Sequence, residues 1–275
     1  MTATTTHPGT RSDIVRQTGV IAATTFMLIA AAVGGGLLGG TPVQDVQDGN
    51  LAADATVLAP ASSAFSIWSV IYLFMIAYTV WQALPSQRGS ERQRRVGWVI
   101  ALSAVLNGGW LLAAQFLTLF ATVAAIVLLL ITLAVAIRIL VVDRPRTLIE
   151  SLLTDVTVGL HLGWVSLATV ANVTAWLTAD VAPASWGEAS DAWGIGVLTV
   201  VAIIGSALAI GTRGRLAPAL AMAWGLTWIG VGRATGQPES MPIAITAWIA
   251  AAIVLLVPIV LWVAGRRGEL DLARR

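Results

Sequence analysis

The sequence predicts an all-α, polytopic transmembrane bundle of about eight spans. Three observations carry this reading. Hydrophobic residues make up 57% of the 275 and charged residues only 11%, less than half of the roughly 25% usual in soluble domains. Eight stretches are apolar over about the 17–25 residues that a helix needs to cross a hydrocarbon core. The arginines gather on alternate connections between those stretches, as the positive-inside rule demands.

The spans follow in order at 17–40, 60–84, 95–116, 118–142, 152–178, 193–212, 216–232 and 241–264. A cleaved signal peptide is the rival reading of the first. Its apolar run is longer than an h-region, however, and no A-x-A site closes it. The seventh is the shortest, and Pro218 stands near its start, where a helix tolerates proline. With the N-terminus inside, Arg11 and Arg16 lie in the first tail. Arg88, Arg92, Arg94 and Arg95 follow span 2, Arg144 and Arg146 follow span 4, and Arg213 and Arg215 follow span 6. Arg266, Arg267, Arg274 and Arg275 lie in the last tail. That places fourteen of sixteen arginines on one side. Arg138 ends span 4 and can snorkel to the same side; only Arg233 falls outside. The opposite loops are acidic, with Asp45, Asp48 and Asp54 after span 1 and Asp180, Glu188 and Asp191 after span 5. The expected location is the cell (plasma) membrane with both termini cytoplasmic.

Composition also excludes chemistry. There is no cysteine, so disulfides, thiolate nucleophiles and iron–sulfur clusters are absent. There is no lysine, so no Schiff base forms. The net charge of +2 is too small for a nucleic-acid partner. No metal cluster, nucleophile–base pair or phosphate loop appears, so no enzyme is expected. No acid lies near a bilayer midplane to serve a coupling ion, and no paired, interrupted helices mark an inverted repeat.

Polar residues inside the spans raise the functional question. A helix advances 100° per residue, so i, i+3 and i+7 share a face. On span 5, His161, Trp164, Ala168 and Asn172 fall in one arc. Span 3 presents Ser103, Asn107, Trp110 and Ala114 in the same way, and span 2 presents Trp68, Tyr72, Met75 and Thr79. Lipid satisfies neither an amide nor an imidazole, so such stripes turn inward. They serve either as hydrogen-bonding and close-packing seams between helices or as the walls of a pocket for a flat, largely apolar ligand. Glu150 and Asp155, near the end of span 5, read as interfacial charges. Trp81, Trp98, Trp176, Trp186, Trp193 and Trp262 read as interfacial anchors.

Three stretches, "FSIWSVIYLFMIAYTVWQAL" (65–84), "LNGGWLLAAQF" (106–116) and "GWVSLATVANVTAWL" (163–177), resemble helices 2, 3 and 5 of the tryptophan-rich sensory protein family, also called TspO/MBR or translocator proteins. Trp68, Tyr72 and Trp81, then Asn107 and Trp110, then Trp164, Ala168, Thr169 and Asn172 match its motifs in order and without gaps. The resemblance implies a five-helix core over 17–178, an outer loop at 179–192 and three additional helices over 193–265, flanked by cytoplasmic tails at 1–16 and 266–275. It implies an integral membrane sensor or transporter that binds tetrapyrroles such as protoporphyrin IX or heme, with the pocket opening beneath the loop between helices 1 and 2.

The implied ligand-binding residues are Trp68, Asn107, Trp110, Trp164, Ala168 and Asn172. Tyr72 and His161 join them from the stripes, His161 as either an interior histidine or an axial ligand to heme iron. No cofactor is obligatory; porphyrin or heme enters as ligand. Partners are the lipid bilayer, the planar ligand and a second copy of the chain. The alternative is a secondary transporter of another small apolar or amphipathic solute. The sequence departs from the family pattern at Ser62, where a second loop tryptophan is usual, and after span 5, where "LTADVAP" lacks the proposed sterol motif. Sterol binding and porphyrin photodegradation are therefore not expected.

Overall fold

The computed structural model describes residues 10–183 and 185–273, with side chains as far as Ala264 except at Ser185 and Glu188. Arg274 and Arg275, the side chains of Arg266, Arg267 and Glu188, and residues 1–9 of the expected tail lie outside the described residues. All regular structure among the described residues is helical. Eight helices run seventeen residues or more. They are α1 (Arg11–Gly34), α2 (Ile67–Ala83), α3 (Glu91–Phe116), α4 (Leu119–Val142), α5 (Thr157–Trp176), α6 (Ser190–Gly211), α7 (Leu216–Thr235) and α8 (Met241–Ala273). Each expected span therefore has its helix.

Seven helical segments are long and apolar enough to cross a membrane, and α7 is not among them. The expectation of about eight is met by eight helices but by seven strongly apolar ones. Glycines, tryptophans, Thr227 and Arg233 dilute α7. The α5 segment is longer than expected, because one-turn π-helices at Ser151–Val156 and Leu177–Val181 flank it in a continuous stretch over Leu148–Val181.

Local chemistry sets the ends. Thr118 accepts from the Ala121 amide at 3.2 Å to start α4. Thr147 accepts from the Glu150 amide at 3.1 Å while the Glu150 carboxylate accepts from the Arg146 amide at 2.7 Å, and together they start the α5 segment. Helix α1 begins at Arg11, inside the stretch expected as a tail. There Asp13 accepts from the Thr10 amide at 2.8 Å and takes a bidentate pair from Arg94 of α3, both distances 2.7 Å.

The chain forms two compact units. The first comprises Met1–Pro42 and Trp68–Val158. In it α1 lies close against α3: a Cβ on Gly108 would sit 2.7 Å from the Phe26 ring and 3.3 Å from Met27 Cα. Small residues permit such approach where hydrophobic driving force between helices is weak.

The second unit comprises Val43–Ile67 and Gly159–Arg275. The boundary at 178 implied for a five-helix core lies inside this unit. Its core joins Leu198, Leu226, Ile243 and Val254 from three helices with Val57 and Leu58 of the connecting segment. Helix α5 meets α7 at backbone range, since a Cβ on Gly163 would collide with the Pro218 carbonyl.

This contact makes a prediction. Gly163→Ala should destabilise by about 1–3 kcal/mol, because the backbone it strikes cannot rotate away. Gly109→Ala, whose added methyl meets nothing within 4 Å, should leave stability unchanged or raise it slightly. Thermal melts of the detergent-solubilised proteins, followed by tryptophan emission, check both signs.

Candidate functional site

The residues selected from the sequence fall in both units. In the first, Trp68 stacks on Tyr72 with ring centroids 5.3 Å apart and planes at 26°. The Tyr72 hydroxyl donates to Asn107 Oδ1 at 3.4 Å. Asn107 and Trp110 are buried on α3. Trp68 and Tyr72 are half-buried, so this cluster keeps an aromatic surface open beside a buried amide. The rest of the α2 stripe has other work. Met75 is in the core, and the Thr79 hydroxyl bonds that of Thr24 on α1 at 2.8 Å. On α3, Ser103 donates back to the Ile100 carbonyl and Ala114 is buried.

In the second unit, His161, Trp164 and Asn172 are buried along one side of α5, with Ala168 half-buried between them. Phe65 meets the Trp164 ring edge-on at 5.9 Å and 77°. Glycine at 225 of α7 leaves room for both Leu167 and the Trp164 ring. Two hydroxyls of this stretch are already committed. Ser166 donates to the Leu162 carbonyl and Thr169 to the Val165 carbonyl, at 2.8 and 2.7 Å; both are satisfied by their own helix.

A cavity of about 390 Å³ lies one helical step around from that arc. Thr169 and Val173 of α5, Leu177 of the π turn after it, Trp193 and Val197 of α6, and Trp186 line it. Its walls are almost wholly apolar. Trp186 and Trp193, expected as interfacial anchors, line it.

Sequence reading missed a buried polar network in the first unit. The Tyr78 hydroxyl donates to Gln93 Oε1 at 2.9 Å, and Gln93 Nε2 donates to Thr154 at 3.4 Å. Arg92, expected as a loop charge, is buried on α3. It donates bidentately to Asp155 at 2.8 and 2.9 Å and lies 3.8 Å from Glu150. Glu150 and Asp155 are five residues apart and would diverge on an α-helix. The π turn, bonded i to i+5, lays one over the other. Glu150 and Asp155, read as interfacial charges, are thus buried and paired with Arg92, read as a loop charge. Arg16, expected in the tail, is likewise buried, donating to Gln82 Oε1 and to the carbonyls of Gln87 and Arg88. The only sequence signal was an acid five residues from another just ahead of an apolar run.

Removing one partner of a buried ion pair strands the other charge. Arg92→Met should therefore cost about 3–5 kcal/mol, and Arg92→Met with Asp155→Leu should recover most of that loss. Denaturant melts of the two variants beside the wild type measure the difference.

The second unit contains a further element that the motifs did not mark. Arg233, at the end of α7, is 1% exposed. Its Nη1 donates to the carbonyls of Thr56 and Pro238, both at 3.0 Å, and its Nη2 to that of Ala53 at 2.7 Å. It escapes the arginine alternation because it is no loop charge. Above it on α7, Trp228 accepts the Ala61 amide at 3.1 Å through its carbonyl, and the Trp224 indole donates to the Ala64 carbonyl at 2.9 Å.

Among known protein families, residues 20–260 match the model of the family described as TSPO-like protein. No curated protein and no solved structure matches the chain. The match begins in α1 and ends in α8, so it takes in all eight helices rather than the first five alone. A family match over most of the length, on a chain of apolar helices carrying the three aromatic motifs in order, shows that this polytopic membrane protein belongs to the TSPO-like protein family.

Proposed function

We propose that this protein binds planar tetrapyrroles of the porphyrin and heme class, as a non-enzymatic sensor or transporter in the plasma membrane with both termini cytoplasmic. One observation carries the reading: the motifs Trp68–Tyr72, Asn107–Trp110 and Trp164–Ala168–Asn172 occur in order in a chain that belongs to the TSPO-like family.

The physical setting of each motif supports it. A macrocycle offers two apolar faces and a charged rim of carboxylates. The Trp68–Tyr72 stack presents aromatic faces beside the Asn107 amide, which suits stacking with one polar contact. On α5, Trp164 is packed and half-buried Ala168 is the small residue of its arc, which suits a wall that a flat ligand approaches closely. Pockets for such ligands are mostly apolar with a few placed polar groups. Porphyrin or heme is ligand here, not a resident cofactor. The arginine alternation supports the orientation, with Arg88, Arg95, Arg144, Arg146, Arg213 and Arg215 on one set of connections.

The test is titration of the purified protein with protoporphyrin IX, followed by quenching of tryptophan emission. The wild type should show saturable binding. Ala168→Phe, which fills the space beside Trp164, should weaken binding at least about tenfold, a loss of roughly 1.4 kcal/mol. Trp68→Leu tests the α2 cluster by itself. Unsaturable quenching, or equal affinity in all three proteins, would sink the proposal.

A further inference from the structure

Within the connection between α1 and α2, residues 43–61 hold no helix longer than one turn. Irregular connections of this length are uncommon in compact domains unless they have a task. The two halves of this one differ. At the start, Gln47 and Asp48 adopt left-handed backbone with φ of 58° and 55°, and no residue of either short turn there is buried. From Thr56 to Pro60 every residue is buried, and Val57 and Leu58 enter the core between α6, α7 and α8.

The buried half has few hydrogen bonds of its own, so its carbonyls need outside donors. Arg233 supplies one to Thr56 and another to Ala53 just ahead of it. Its three hydrogen bonds reach Ala53 and Thr56 on the segment and Pro238 in the turn between α7 and α8. Among the described residues no carboxylate forms an ion pair with it. Asp54, on the segment itself, attracts it from beyond ion-pair distance, and a buried cation without a direct ion pair is unfavourable unless hydrogen bonds replace its water. A planar five-donor fork answers several carbonyls at once, which a lysine ammonium does less well. The guanidinium is thus committed to backbone, and to two pieces of backbone far apart in sequence.

We propose that Arg233 is the latch of a strap. Residues 53–61 open and close as a unit over the C-terminal helices, hinged at the left-handed turn Gln47–Gly49. The guanidinium sets the closed position. Release uncovers the apolar faces of Leu198, Leu226 and Ile243 while the helices stay folded. On this assignment α6, α7 and α8 are the platform on which the connection between α1 and α2 docks. The latch stands apart from the tetrapyrrole reading, which concerns what is bound.

Hydrogen exchange followed by mass spectrometry, on the full chain in detergent, tests it. In Arg233→Met the amides of 55–61 should exchange at least about tenfold faster, and those of α6 and α8 at wild-type rates. Arg233→Lys should fall between. A cross-link supplies the second arm. A Cβ on Gly232 would lie 3.5 Å from that of Ala61, within disulfide reach, and the chain has no cysteine to interfere. Ala61→Cys with Gly232→Cys, oxidised in the Arg233→Met background, should return the strap to slow exchange, and reduction should free it again. Unchanged exchange in Arg233→Met would overturn the latch. So would a uniform rise across α6 to α8, or a cross-linked strap that still exchanges fast. Protoporphyrin titration of the same proteins separates the two readings. No quenching anywhere removes the tetrapyrrole and leaves the latch; normal exchange in Arg233→Met removes the latch alone.

Discussion

Backbone that is not helical must find its hydrogen-bond partners elsewhere in the chain, and in a membrane protein water is a poor substitute. Most of this molecule meets the constraint by being helix. The stretch from Val43 to Ala61 holds only two one-turn helices, and it sets the character of the second unit. Helix α7 answers it in register. Trp224 donates to Ala64, Trp228 accepts from Ala61, and Arg233 donates to Thr56 and Ala53. As the α7 numbers rise the segment's numbers fall, so the segment runs antiparallel along about 14 Å of helix. Trp224, Trp228 and Gly232 are spaced i, i+4, i+8 and lie in one arc, and the glycine lets Ala61 come close.

Side chains face the same constraint and solve it in two ways. Isolated hydroxyls fold back on their own helix, as Ser103, Thr122, Ser166 and Thr169 do. Charged and amide groups instead gather. Arg16, Gln17, Gln82 and Arg88 form one set, joined by bonds to the glutamine side-chain oxygens and to main-chain carbonyls. Arg92, Asp155 and Glu150 form another around the π turn. Each set ties together helices distant in sequence, so the two hold α1 to α2 and α3 to the start of the α5 segment within the first unit.

What could be read from the sequence follows the same division. Helices were legible because run length and hydropathy are properties of one segment. The motifs were legible because tryptophan is rare and their spacing is local, and the family match bears out the membership they suggested. Partners were not legible. Counting charges placed Arg16, Arg92 and Arg233 in loops or left them over, although each is buried against groups distant in sequence. Nothing local announces that Gln82 meets Arg16 or that Ala53 meets Arg233. The π turn was equally hidden, because it changes which residues share a face without changing composition.

The weak hydropathy of α7 follows from its position rather than from a defect in the span. A helix that turns one face outward and packs the other on apolar neighbours selects leucine and isoleucine, as α4 does. A helix that receives a peptide segment along one face, and the α5 backbone at Gly163 near its start, needs small residues for approach and polar groups for the segment's carbonyls. Gly225 admits Leu167, Gly232 admits Ala61, and Arg233 closes the series. Each of those choices lowers the apolar score of α7. Among the described residues, the long helix that falls short of a membrane span in hydropathy is therefore the one that receives this backbone, and the feature that makes it look marginal is what docks the connection between α1 and α2.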